Sequence, residues 1–190
     1  MKAFITIIVF LAVVAAAGAV FVWFGFFNVS ARVPHWDITV EAIEVLRDRS
    51  IIVNSRDVKT PPMADPALVP KGTALYREAC LHCHGAPATP ADPFAQGLYP
   101  APADLLSGSI QNEWKDAQLY WIVENGLKLT GMPAFGSNYE KEEIAAVIAF
   151  VRLLPKISPG EYERMAGEGG RVKGEGWRVH LSIFTLHSSD

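Results

Sequence analysis

Apolar and polar positions split this chain into unlike stretches. The first, MKAFITIIVFLAVVAAAGAVFVWFGFFNVS, holds no charged residue from Ala3 to Phe27. A helix that crosses a bilayer needs about 20 apolar residues at about 1.5 Å each. The stretch therefore predicts a single N-terminal transmembrane helix inside an anchor over residues 1–30. A cleaved signal peptide is the competing reading, and AAAGA at Ala15–Ala19 supplies suitably small residues. Yet a signal's apolar region is short, about 7–15 residues, and ends near its cleavage site. Here VFVWFGFF runs straight on past Ala19. An uncleaved anchor is expected. Trp23 and the phenylalanines beside it suit an aromatic belt at the far interface. Lys2 precedes the span and Arg32, Arg47 and Arg49 follow it, so charge alone orients it weakly.

Beyond the anchor, residues 31–69 read as a connector. WDITVEAIEVLRDRS within it has helical spacing in Ile38, Ile43 and Leu46, with Asp37 as the N-cap. TPPMADPALVP is proline-rich and extended, a domain boundary. Residues 70–155 then form a compact domain that reads as helices. Pro70 suits a first helical turn, and KGTALYREAC follows with good helix formers. DAQLYWIVENG starts at a capping Asp116 and stops at Asn125-Gly126. SNYEKEEIAAVIAFVRLLP shows a capping box in Ser137 and Glu140 and one apolar stripe in Ile144, Val147, Ile148, Val151 and Leu154, ended by Pro155. Residues 156–190 form a tail. AGEGGRVKGEG in it is glycine-rich and expected to be flexible, and WRVHLSIFTLHSS alternates like a strand.

Composition changes this picture little. Half of the 190 residues are hydrophobic and the formal net charge is -3. The apolar excess sits in the anchor, and the mild charge gives no footprint for nucleic acid. The two cysteines change more. Both stand in REACLHCHG, as Cys80 and Cys83, with His84 directly behind. C-x-x-C serves a redox disulfide, half a zinc site or, with the trailing His, covalent haem attachment. A thioredoxin-like site expects a βαβ unit, and none is visible between Pro70 and Leu154. A structural zinc ion wants four nitrogen or sulfur ligands, usually as two close pairs. The compact domain offers no second pair, and His35, His180 and His187 lie far off. Haem gives each residue a task. The two thiols add to the porphyrin's two vinyl groups, and the next residue projects an imidazole under the iron. His84 is then the proximal ligand, its other ring nitrogen donating to an acceptor that fixes the ring. His82 reads as a tolerated variable residue.

A second axial ligand is expected downstream, and LKLTGMPAFGSN supplies Met132. A packing methionine usually fills a gap within a helix stripe. Met132 instead sits in a loop between predicted helices, with Gly131 allowing close backbone approach and Pro133 stiffening the turn. Met63, in the linker, and Met165, beyond the helix stop, are poorer candidates.

CLHCH, GMPAF and YEKEEIAAVIAFVRLLP, in this order and spacing, make residues 70–155 resemble a class I cytochrome c, the monohaem, His/Met-ligated kind. That resemblance implies an all-α fold around one covalent haem c with its iron. It implies crossed first and last helices, Gly72 and Tyr76 meeting Ala146 and Phe150. It also implies a proline carbonyl against the proximal imidazole. Pro100 and Pro102 are available; Pro102 is preferred, with Leu105 following it into the pocket. Tyr99, Trp121 and Lys128 are candidates for lining the pocket or reaching the propionates. The anchor, connector and tail depart from soluble members of the family, and no lysine ring suggests an acidic partner.

The implied activity is single-electron transfer on the periplasmic face of a bacterial inner membrane, as in a respiratory chain, with no catalytic residue of its own. The bilayer and redox proteins are the expected partners. The chain is read either as a carrier or as the cytochrome subunit of a larger membrane oxidoreductase. The alternative is a haem-based ligand sensor or a peroxidase-like protein in which Met132 is displaceable.

Overall fold

The computed structural model of the chain describes residues 1–169. The strand expected in WRVHLSIFTLHSS lies outside the described residues. Within them the fold is all-helical. The only pairing of β type is an isolated bridge between Ala86 and Thr89.

Helix α1 (Lys2–Trp23) has a mean hydropathy of 2.9 over its most apolar 18 residues and no buried residue. It is the one described helix long and apolar enough to cross a bilayer, and a signal sequence has the same properties. Helix α2 (Asp37–Asn54) starts one residue earlier than expected, since Trp36 occupies the cap and Asp37 is the first helical residue. Its inward face also differs from expectation. Ile38 and Leu46 are 70% and 69% exposed, whereas Ile51 is 1% exposed and lies in the core. The helix has apolar residues all round, so spacing alone could not say which of them pack. Residues 31–69 are therefore more than a tether, because their helix contributes to the domain's core.

Helix α3 (Val69–Ala79) crosses α7 (Lys141–Val151). A Cβ on Gly72 would stand 2.6 Å from the Ala146 carbonyl carbon and closer still to its oxygen, so only glycine lets the two backbones meet. One helical turn on, the Tyr76 and Phe150 rings pack edge to face at 5.2 Å between centroids. The expected crossing is thus present, on the expected four residues.

The stripe Ile144, Val147, Ile148, Val151 and Leu154 is buried throughout. It feeds two clusters. Ile144 and Ile148 join Ile51, Trp114, Leu119, Tyr120 and Ile122. Val147, Val151, Leu154 and Phe150 join Tyr76, Ala86 and Tyr162. The helix stops at Val151, earlier than Pro155, and a 3-10 turn covers Leu154–Lys156.

Two further helices start at other caps than the sequence suggests. Helix α7 is capped at Glu140, not Ser137, and Glu143 reaches back to accept from the Glu140 N–H at 3.0 Å. Ser137–Tyr139 cannot begin the helix because Asn138 and Tyr139 donate back to the Phe135 carbonyl. Helix α6 (Asp116–Asn125) is capped at Lys115, whose N–H donates to Gln118 Oε1. Asp116 is spent on Arg152 instead. The Arg152 guanidinium binds Asp116 Oδ1 at 2.7 Å and donates to the carbonyls of Gln111 and Trp114. It ties the end of α7 to α5 (Gly108–Glu113) and the start of α6.

Part of the expected flexible tail is helix α8 (Pro159–Gly169) packed on α3, with Tyr162 buried in the second cluster. Ser158 and Glu161 cap it reciprocally, the Ser158 N–H donating to Glu161 Oε2 and the Glu161 N–H to Ser158 Oγ.

Candidate functional site

Cys80 caps α3, and the chain runs on into α4 (Leu81–His84). The Cys83 and His84 N–H groups donate to the Cys80 carbonyl at 3.1 and 3.0 Å. One helical turn puts residues three apart on one face, so the two cysteines share a side with His84 next to it. Both are half-buried, free thiols. Burial, and then the neighbouring Cys83, push the Cys80 thiol up to about 12. A thiol-redox centre needs the reverse, a thiolate favoured near neutrality. The turn ends at Gly85, at φ +64° and ψ -174°, a region nearly confined to glycine. Tyr76 donates its buried hydroxyl to the Gly85 carbonyl at 2.6 Å.

The His84 ring is held by its Nδ1, 2.8 Å from the carbonyl of Ala103. Facing only an acceptor, Nδ1 carries the proton and leaves the Nε2 lone pair for a metal. Desolvation holds the imidazole below its usual pKa, against the opposing pull of the Ala103 carbonyl. This corrects the expectation for Pro102, whose carbonyl does not make that bond. Neighbouring carbonyls in a non-helical chain point to opposite sides, so one of the pair faces the ring, and it is Ala103's. Leu105 packs, as Cys80 does, against the second cluster.

Met132 lies in the loop after α6, half-buried against the first cluster. Gly126 ends α6 at φ +64° and ψ -175°, and the loop then folds back on the helix. Met132's carbonyl accepts from the Leu127 N–H at 3.2 Å, while the N–H groups of Phe135 and Gly136 donate to the carbonyls of Val123 and Glu124. Thr130 Oγ1 donates to the Leu127 carbonyl at 2.7 Å and accepts from the Met132 N–H at 3.1 Å. What approaches Gly131 is Leu98, whose terminal carbons lie 3.0 and 3.1 Å from where a Cβ would be. Met63 packs on the first cluster and Met165 on the second.

A small apolar cleft beside the cysteine turn is lined by Leu75, Ala79, Cys80, Val123, Phe135, Tyr139, Ile144 and Val147, without His84 or Met132. The other expected lining residues divide. Trp121 is partly buried core, Lys128 is exposed, and the Tyr99 hydroxyl accepts from the His35 N–H at 2.9 Å. Sequence reasoning missed His35, Thr130, Ala103 and Arg152. Only Thr130 carried a local signal, a hydroxyl two residues before a loop methionine.

The donors present fit a haem c. Two unpaired thiols stand on one helical turn, an imidazole keeps a free Nε2, and a thioether sits on a bonded loop. Among the described residues no three His, Cys, Asp or Glu side chains converge, so a tetrahedral zinc set is not assembled.

An all-helical domain with crossed α3 and α7 beside a C-x-x-C-H turn has the features of a class I monohaem cytochrome c, the kind that carries covalent haem c and transfers electrons. Residues 67–151, somewhat less than half of the chain, match the family model described as Cytochrome C oxidase, cbb3-type, subunit III. No curated protein and no solved structure matches the chain significantly.

Proposed function

We infer that the chain is a membrane-anchored cytochrome c that passes single electrons on the periplasmic face of a bacterial inner membrane, without catalysis of its own. Cys80 and Cys83 would tether the haem, and His84 and Met132 would ligate its iron. When bound, the haem supplies a one-electron Fe(III)/Fe(II) couple, at a potential raised by histidine–methionine ligation. Ala103 fixes the His84 ring and its tautomer, and the bonded loop around Met132 holds the thioether in place. With both residues on the iron, no position there would remain open to a substrate. The single observation that carries this reading is the network pinning residues 127–136. A rigid ligand loop favours a carrier over a sensor that must release its methionine.

The subunit reading is favoured over a free carrier. The matched family is named for a subunit of a cytochrome c oxidase. The segment after α1 also binds the haem domain firmly. Phe21 and Phe27 pack against Trp36, Phe27 stacks on His35, and His35 packs edge-on against Tyr99. This aromatic chain ties the membrane exit to the loop that carries Ala103, and a cleaved leader would have no use for it. A domain held so close to the bilayer meets partners confined to the same plane.

The test uses the full chain in its membrane. Protease added to intact spheroplasts should remove the haem-bearing domain, and mild detergent should release it attached to a larger multi-span complex. Protection from protease would refute the orientation. Release as a lone haem protein would refute the subunit reading.

A further inference from the structure

Met132 is held by backbone on one side and by a hydroxyl on the other. Below it lies Gly126. A Cβ at Gly126 would stand 2.6 Å from the Pro133 carbonyl carbon, 2.7 Å from the Ala134 nitrogen and 2.8 Å from the Met132 oxygen. All three are main-chain atoms of the ligand loop, so none can rotate aside. The glycine also sits at φ +64° and ψ -175°, where other residues are strained. The loop can rest on the end of α6 only because this residue has no side chain. Above it, Thr130 Oγ1 bridges the Leu127 carbonyl and the Met132 N–H. With the Leu127-to-Met132 bond, this closes a small ring of hydrogen bonds around the Met132 backbone. Gly131 differs, since a Cβ there meets only the flexible end of Leu98.

The geometry points to Gly126 and Thr130 as positioning residues for the sixth ligand: together they aim the Met132 sulfur and set how readily it leaves the iron. The role rests on Met132 being that ligand. A side chain at Gly126 pushes residues 132–134 away from α6 and pulls the sulfur off its line. Loss of the Thr130 hydroxyl loosens the same loop without pushing it. The strength of the axial bond is thereby set by packing at the end of a helix, not by the iron's own surroundings.

The experiment compares holoprotein variants of the full chain in detergent: Gly126→Ala, Thr130→Val, Gly131→Ala and Met132→Ala. Readouts are the weak far-red sulfur-to-iron(III) band, the reduction potential, the fraction of reduced haem that binds carbon monoxide, and the far-UV helix signal. Gly126→Ala is expected to keep its helix signal, lose most of the far-red band, shift to lower potential and raise the carbon monoxide fraction at least tenfold. Thr130→Val should move all three in the same direction but less, and Gly131→Ala should stay near wild type. Should Gly126→Ala fail to fold, Thr130→Val decides alone. Wild-type band and potential in Gly126→Ala and Thr130→Val, with both lost in Met132→Ala, would overturn the positioning role only. An unchanged band and potential in Met132→Ala would overturn the ligand assignment and this role with it.

Discussion

Replacing Gly72 by alanine tests the helix crossing on which the site is built. The added Cβ would lie 2.6 Å from the Ala146 carbonyl carbon, inside contact with its oxygen, and 3.1 Å from Phe150 Cβ. Two effects compete. Alanine inside a helix is better than glycine by about 1 kcal/mol. Against this, the obstacle is main chain, so α7 must retreat as a body. Overpacking costs roughly 1–3 kcal/mol even where side chains can adjust, and a seam opened by 0.5–1 Å forfeits about a quarter to a half of its dispersion contacts. With no side chain free to yield, the upper end applies. The net loss is about 2 kcal/mol, or a Tm lower by roughly 8 °C for a domain of this size. Thermal melts of the detergent-solubilised holoprotein, followed at the helix band, measure it. Gly97→Ala is the control, because nothing lies within 4 Å of its added carbon. A Gly72→Ala protein as stable as wild type, or more stable, would show that α3 and α7 do not cross here.

Other perturbations follow from the same contacts. Tyr76→Phe removes the hydroxyl that donates to the Gly85 carbonyl and should cost about 1–3 kcal/mol in a denaturant melt, since a buried acceptor loses its partner. Burial raises the Tyr76 pKa, so the wild-type bond should persist across the working pH range. Arg152→Ala should cost about 2 kcal/mol, because it strips the Gln111 and Trp114 carbonyls of a charged donor; Arg152→Lys should recover less than half, lacking the planar fork. Glu143 is held below the usual carboxylate range, first by the Glu140 N–H and then by Lys71. A depressed carboxylate stabilises the fold above its unfolded pKa and loses that contribution as pH falls through the folded one. Glu143→Gln should therefore be less stable than wild type near neutrality, by roughly 0.5–1 kcal/mol, with the gap closing in acid; a gap independent of pH would contradict the assignment.

The parts of this protein legible in the sequence are those whose signal is local. Cys80, Cys83 and His84 fall within one turn, and Gly131-Met132-Pro133 is odd enough to single out without a partner in view. The α7 stripe was readable because every member of it is buried. What required three dimensions was the choice between equivalents. Pro102 and Ala103 both offer a carbonyl, and only the path of the loop selects Ala103 for His84. Ile38, Leu46 and Ile51 are alike in type, and only docking against the domain selects Ile51. Asp116 was a fair cap by composition, but Arg152, far along the chain, claims it. Ser158 and Glu161, by contrast, were a legible capping box, hidden by the glycines after them.

The central claim is that His84 and Met132 together close the iron to outside ligands. The most direct test is the visible spectrum of the reduced, detergent-purified protein before and after carbon monoxide. A sharp low-spin c-type spectrum that carbon monoxide leaves unchanged is the predicted result. A spectrum that shifts on adding the gas would mean an open or weakly held sixth position, and the electron-carrier account would give way to sensing or catalysis.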